Sequence, residues 1–335
     1  MHGWVVIDKP VGLGSTDVVS TVKRALREGG YPKLKVGHGG TLDPLASGVL
    51  PVALGEATKL AGRMLDADKI YQFTIRFGEE TDTLDAEGTV IATSGMRPTP
   101  AEVEAALDSF TGEIDQVPPA FSALKLGGKR SYDLARAGEA VELQARRVTV
   151  HGLELKEEEE DPRPALSRGR ERRRENESST GGPLLPLAGE GWDEGLLSSI
   201  TLLARVSKGT YIRSLARDIA RALGTVGHVT TLRRMKAGPF PLASAISLDK
   251  MVELAKAHRL EQALLPLTAG LDDIPALPVT PDQASRLRQG RKLAGIAAKP
   301  GLHLATASSV PVALVELSEG ELRVVRGFNI LDEGV

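Results

Sequence analysis

Apolar side chains recur along this 335-residue chain at two spacings, which divide it into short strands and helices. Trp4-Val5-Val6-Ile7 is an apolar run that predicts a buried strand, with Asp8-Lys9-Pro10-Val11-Gly12 as the turn after it. Val18, Val19, Val22 and Leu26 recur at helical spacing. A helix is therefore expected from a Ser15 or Thr16 cap to about Leu26, stopped by Gly29-Gly30. Residues 49–55 read as a second buried strand, and residues 56–65 as a helix with Leu60, Met64 and Leu65 inward. Tyr71, Phe73, Ile75 and Phe77 alternate with polar neighbours, which predicts a strand with those four on one face. Residues 81–88 form a polar loop, and Thr99-Pro100-Ala101-Glu102 has the form of a helix start leading to about Phe110.

Beyond a stiff proline-containing connector at 117–121, the pattern thins. Residues 122–138 are basic, glycine-containing and lightly hydrophobic, which suits an exposed arm. Residues 157–195 carry an acidic run, an arginine block and few apolar side chains before Leu184, so they are expected to be a disordered insertion between two strands. Order returns with a strand at 200–206 and a helix whose Ile212, Leu215, Ala216, Ile219 and Leu223 share a face, ended by Gly224. A last amphipathic helix is expected over 248–265. A proline-rich stretch at 266–281 then marks a boundary, followed by a short helix at 282–289 and strands near 294–296, 302–307, 310–317 and 322–325. Strands and helices without regular alternation indicate an α+β fold. The expected division is a main domain over 1–265 and a small β-rich module over 275–335.

Composition narrows the chemistry. With no cysteine, disulfides, thiolate catalysis and cysteine-ligated zinc are excluded. The six histidines are scattered, with none at metal-ligand spacing, so no metal is expected. No signal sequence opens the chain and no apolar run is long enough to cross a membrane, so a cytoplasmic protein is expected. The net charge of −2 argues mildly against a nucleic-acid partner. Much of the acid, however, sits in 157–195, and the remainder of the chain is net positive. Basic residues there cluster at Lys125, Lys129 and Arg130, at Arg146 and Arg147, and at Arg233, Arg234 and Lys236, where they can meet phosphates or simply be solvated.

The strongest candidate chemistry lies in Gly37-His38-Gly39-Gly40-Thr41-Leu42-Asp43-Pro44-Leu45-Ala46-Ser47-Gly48. Alone, an Asp-Pro pair marks a turn, and a lone histidine is more often structural than catalytic. Here Pro44 biases Asp43 toward extended backbone, the glycines permit close approach of a ligand, and the apolar run behind anchors the loop. A carboxylate so held can act as a nucleophile. No GxxxxGK[ST] occurs, and an acid in the glycine loop disfavours a phosphate cradle.

This loop resembles the catalytic motif of the tRNA pseudouridine-55 synthases, GH(T/G)G(A/T)LDPLA(T/S)GVLPV. The resemblance continues in order through Asp8-Lys9-Pro10-Val11-Gly12, Lys69-Ile70-Tyr71, the stretch 81–88, Ser122-Ala123-Leu124-Lys125 with Gly128-Lys129-Arg130 and Tyr132, the block 206–213, and Leu232-Arg233-Arg234. It leaves 157–195 unmatched. Gly39 stands where many members have threonine.

The resemblance implies a mixed, largely antiparallel sheet with flanking helices and a small C-terminal β-rich RNA-binding-like domain. It implies conversion of uridine to pseudouridine at position 55 in the T loop of tRNA, with no cofactor, on a base flipped out of the loop. Asp43 would be the nucleophile, Arg213 its ion-pair partner, and Tyr71 the residue that stacks on the base and lies near the departing proton. Tyr211 and Leu232 would line the pocket, and His38 would fill the vacated stack. Lys9 and Pro10 would support the loop, while Lys125, Lys129 and Arg130 would belong to an arm closing over the RNA. By pattern alone Tyr71 and Leu232 are equally core positions, and Arg213 a surface residue at a helix start. The T arm of tRNA is the partner implied, for a monomer that requires no protein partner. Two alternatives stand beside this: a non-catalytic tRNA-binding or folding protein, and a pseudouridine synthase acting on another RNA.

Overall fold

The computed structural model describes residues 1–330 apart from 123, 140, 142 and 157–194, with the backbone alone at 125, 126, 129, 130 and 135. Its body is an eleven-stranded sheet. The long strands are β1 (Gly3–Lys9), β2 (Ser47–Leu54), β3 (Lys69–Phe77), β4 (Gly112–Gln116), β5 (Arg146–Leu155), β6 (Ser199–Val206) and β7 (Gly227–Ala237). Their spatial order is β1-β2-β7-β3-β6-β5-β4, antiparallel at every step except β2 to β7. Those two strands pair in parallel only at Arg233 with Ser47 and Arg234 with Gly48. Gly48 has φ +100°, and a Cβ there would fall 2.3 Å from the Arg234 carbonyl oxygen, so only glycine permits the approach. The loop 39–46 enters β2 at this junction.

Alternation along the strands sorts side chains between two cores. Val5 and Ile7 of β1 join Phe73, Ile75 and Phe77 of β3 beneath α1 (Ser15–Glu28), α2 (Ile212–Ala222) and α3 (Leu248–Lys256). Trp4 and Val6 face the other way, packing with Leu267, Leu304, Leu314 and Phe328. Leu304 and Leu314 belong to a second, five-stranded sheet formed by Ala276–Pro278, Leu293–Ala294, Gly301–Ala307, Val310–Ser318 and Glu321–Gly327, with the helix Pro281–Arg288 packed on it. The α+β architecture is as expected from the sequence.

Several local expectations are corrected. Ser15 lies inside α1, and Gly14 caps it, its N–H donating to the Asp17 carboxylate. Ser15 is buried instead against the glycine loop. The helix expected over 56–65 begins as a 3-10 turn (Gly55–Leu60) before Ala61–Asp66, and this phase leaves Leu60 and Met64 buried but Leu65 exposed. The helix expected over 248–265 ends at Lys256, because His258 adopts a left-handed conformation (φ +56°) and Leu260–Ala263 forms a separate 3-10 turn. Strand β7 carries no clear signal in the linear pattern, since bulges between Val229 and Thr231 and between Arg234 and Lys236 break its alternation. Apart from Gly195, the insertion at 157–195 lies outside the described residues; the strands on either side of it, β5 and β6, are antiparallel neighbours.

Candidate active site

Segments distant in sequence converge on one cleft of about 300 Å³, at the small end of ligand pockets. Its lining includes Asp43, Lys69, Tyr71, Ser122, Tyr211, Arg213, Leu232 and Arg234. Asp43 comes from the glycine loop, Tyr71 from β3, Arg213 from the first turn of α2, and Leu232 and Arg234 from β7.

The glycine loop is held from three sides. Ser15 Oγ donates to the Leu42 carbonyl at 3.1 Å and accepts from the Leu42 N–H at 2.8 Å. Lys9, fully buried, donates from Nζ to the carbonyls of Pro10, Leu13 and Pro44 at 2.9, 2.6 and 3.2 Å. Burial, reinforced by the charge of Arg234, pushes the Lys9 ammonium down to about 8. Arg234, 1% exposed, donates to Val49 O at 2.7 Å, Gly40 O at 3.1 Å and Thr41 O at 3.2 Å, and lies 3.5 Å from the Tyr71 hydroxyl. The loop is thereby fixed to β1, α1, β2 and β7.

Arg213 is 5% exposed at the head of a strongly amphipathic helix. Its Nη2 lies 2.8 Å from Asp43 Oδ2 and its Nη1 3.2 Å from Asp85 Oδ2. The same guanidinium donates to Thr83 O at 2.8 Å and Phe121 O at 2.9 Å. The two carboxylates differ in kind. Asp85 is buried, and its Oδ1 accepts from Thr83 Oγ1 at 2.6 Å and the Glu87 N–H at 3.0 Å. The Asp43 side chain is 39% exposed and has Arg213 as its ion-pair partner. One is a fixed anchor for the cation; the other is reachable from the cleft.

The aromatic walls are positioned by strands and by a glutamine. Tyr71 continues the apolar face of β3 beyond Phe73 but is only partly buried. Gln116, 1% exposed at the end of β4, clamps the Tyr211 backbone: its Nε2 donates to Tyr211 O at 3.1 Å and its Oε1 accepts from the Tyr211 N–H at 2.8 Å. Burial raises the Tyr211 phenol above its ordinary range, so it is a protonated donor at neutral pH. Leu232 is a buried part of the cleft wall.

The remaining sequence candidates lie elsewhere. His38 does not line the cleft; it sits in the short strand Val36–His38 beside β2, with Nδ1 buried and without a hydrogen-bond partner. Burial and the Arg234 charge lower its pKa, which keeps the ring neutral near pH 7. Pro10 is exposed, and its carbonyl accepts from Lys9 Nζ, which also holds Pro44 O of the loop. Lys125, Lys129 and Arg130 fall on a two-stranded hairpin, paired as Lys125 with Arg130 and Leu126 with Lys129, followed by the helix Ser131–Arg136. The root of this arm returns to the site through Phe121 O on Arg213 and through Ser122 in the cleft wall. Of the basic clusters, Arg234 is interior and Arg233 pairs with Asp8 at 2.7 Å.

Sequence reading missed Asp85, Gln116, Lys69 and the buried role of Arg234. Asp85 is visible there as part of the polar loop 81–88, a stretch that also carries the family resemblance, but with no role attached, and nothing in its local pattern distinguishes a buried carboxylate from a solvated one. Among the described residues no cluster of side chains could hold a metal ion, and no helix is long and apolar enough to cross a membrane.

Residues 24–167 match the model of the TruB family pseudouridylate synthase N-terminal domain, and residues 213–272 that of the tRNA pseudouridylate synthase B C-terminal domain. The protein named tRNA pseudouridine synthase B of Novosphingobium aromaticivorans is 58% identical over 332 residues, 99% of each chain. Its namesake in Zymomonas mobilis is 55% identical over 329 residues, 98% of this chain and 96% of the relative. Among solved structures, a Cbf5-Nop10-Gar1 complex aligns with a TM-score of 0.66 at 25% identity, covering 98% of this chain and 84% of that one. An H/ACA RNP bound to a substrate RNA containing 2'-deoxyuridine aligns with a TM-score of 0.65 at 24% identity, covering 98% and 85% of the two chains, and shares the fold. With more than half of its residues identical to these relatives over nearly its whole length, the chain belongs to the TruB family of pseudouridylate synthases.

Proposed function

We propose that this protein converts uridine to pseudouridine in tRNA, at position 55 of the T loop, with Asp43 as the nucleophile. One observation carries the reading: a solvent-reachable carboxylate held 2.8 Å from a buried arginine at a cleft walled by two tyrosines and a leucine. The relatives named tRNA pseudouridine synthase B supply the substrate class.

The reaction breaks the N1–C1′ glycosidic bond, turns the uracil over and bonds C5 to C1′. The C5 proton leaves and N1 gains one, so the change is an isomerisation without net redox. Arg213 orients Asp43 and balances its charge through both stages, as a charge-assisted pair with fixed geometry does. Tyr71 stacks on the target base and lies beside the C5 proton, while Tyr211 and Leu232 confine the detached uracil. Extruding the uridine from a folded loop opens its stack, and His38 and the arm at 122–138 act on the RNA outside the cleft. The small C-terminal sheet adds RNA contacts, and a single chain acts in the cytoplasm without a protein partner.

The test is incubation of purified protein, without added cofactor or metal, with unmodified T-arm RNA, followed by nucleoside analysis and an RNA-binding measurement for wild type and Asp43→Asn. Pseudouridine from wild type only, with similar binding by both, supports the assignment. Binding by folded wild type without pseudouridine overturns it in favour of a binding protein or another RNA substrate.

A further inference from the structure

A second concavity opens beside the glycine loop, next to the strand Val36–His38. It has a volume of about 720 Å³, and its lining is apolar at Leu26, Tyr31, Pro32, Leu34 and Val36. Four cations rim it: Lys23 and Arg27 from α1, and Lys33 and Lys35 from the loop after it. No acidic side chain lines it. All four cations are exposed, and among the described residues none of their charged groups forms an ion pair or a side-chain hydrogen bond.

Elsewhere on the surface, Arg63, Arg147, Lys208, Arg221, Lys256 and Lys292 each meet a carboxylate. Lys23 and Arg27 are four apart on one helix face, where like charges repel. Glu28, the acid nearest to them in sequence, is drawn away to Lys256. The fold therefore tolerates an uncompensated cationic ring around a low-dielectric hollow, the geometry that focuses potential on an anion.

We propose that this ring binds the phosphate backbone of the substrate RNA alongside the flipped uridine. The inference rests on the RNA-modifying function proposed above and extends its RNA path. Gly37, which lines the hollow, and Gly40, which lines the active cleft, are three positions apart in the chain. The chain spans at most about 11 Å over that distance, so an RNA occupying one site runs past the other. An apolar floor under a phosphate-binding rim also suits the face of an unstacked base.

The test uses the full chain with Lys23→Glu/Arg27→Glu and Lys33→Glu/Lys35→Glu, a T-arm RNA hairpin, binding at several salt concentrations, and single-turnover pseudouridine formation. Thermal melting confirms that the exposed substitutions leave the fold intact. Each pair is expected to weaken binding at low salt at least about tenfold and to reduce the slope of log affinity against log salt by about one for each phosphate no longer neutralised. The single-turnover rate at saturating protein stays at the wild-type value, because neither pair touches the cleft. Wild-type affinity and salt slope in both variants overturn the proposal, whether the ring is then idle or serves a protein. A wild-type protein that binds the hairpin but forms no pseudouridine instead overturns the catalytic reading, and the binding comparison still decides the ring.

Discussion

Arg213 stands between Asp43 and Asp85, 2.8 Å from one and 3.2 Å from the other, with the first carboxylate open to solvent and the second buried. Mutating the two aspartates should therefore separate chemistry from stability. Asp43→Asn removes the proposed nucleophile from a half-exposed position: pseudouridine formation should fall by more than about 1,000-fold, as on loss of a nucleophile in other enzymes, while the urea midpoint hardly moves. Asp85→Ala leaves a buried cation without its buried partner and should cost about 3 kcal/mol by equilibrium unfolding. Comparable unfolding losses in both variants would contradict this division of roles.

Arg234 is buried beneath the same loop and ties Gly40, Thr41 and Val49 together through their carbonyls. Arg234→Met keeps much of the volume and strands those acceptors. With about 1–3 kcal/mol for each buried group left unsatisfied and partial relaxation, a loss near 3 kcal/mol is expected. Conversion should fall even at temperatures where the variant remains folded, because Asp43 then rides on a looser loop. A variant melting with wild-type midpoint and full activity would show that Arg234 does not hold the loop.

Gly48 allows β2 and β7 to touch. Its φ of +100° and the 2.3 Å approach to the Arg234 carbonyl mean that Gly48→Ala must push the strands apart. A destabilisation of at least about 2 kcal/mol is expected from backbone strain and poorer packing together. Gly62→Ala is the control, since nothing lies within 4 Å of a Cβ there. Equal melting temperatures for the two variants would refute the close-approach argument.

Lys69 donates to Leu65 O at 2.7 Å and Ala67 O at 2.5 Å, and burial, assisted by Arg234, pushes its ammonium down to about 8. The unfolded chain keeps this proton to about 10.5, so between those values the unfolded state binds more protons and stability rises with pH. Lys69→Met removes that contribution. Its gain in unfolding free energy between pH 7.5 and 9.5 should be smaller than that of wild type by about 1–2 kcal/mol. Identical gains from urea titrations at the two pH values would show that Lys69 does not titrate in this window.

Elements whose signal is local were legible in the sequence. The capping box at Thr99 and Glu102 forms as read, with Thr99 N–H donating to Glu102 Oε2 at 2.8 Å. The alternation of Phe73, Ile75 and Phe77 places all three in one core. Strand β7 is hidden because two bulges shift its period, yet it is the strand that carries Leu232 and Arg234 into the cleft. The helix expected over 248–265 is too long because apolar spacing continues past Lys256, while the break is set by the left-handed turn at His258, whose Nδ1 pairs with Gly29 O and whose ring stacks on Tyr31 at 4.3 Å.

Residue types at short spacing were enough for the α+β class, the glycine loop around Asp43 and the motif blocks that carry the family resemblance. Which polar groups are buried emerges only in three dimensions. Asp85, Gln116, Lys69 and Arg234 look like surface residues in a linear pattern. Asp85, Gln116 and Arg234 are interior because each meets partners 95 to 194 positions away, and Lys69 because the carbonyls of a neighbouring turn receive its ammonium. Burying a charge is costly unless such partners converge on it, and that convergence is a property of the sheet order, in which β7 is inserted between β2 and β3.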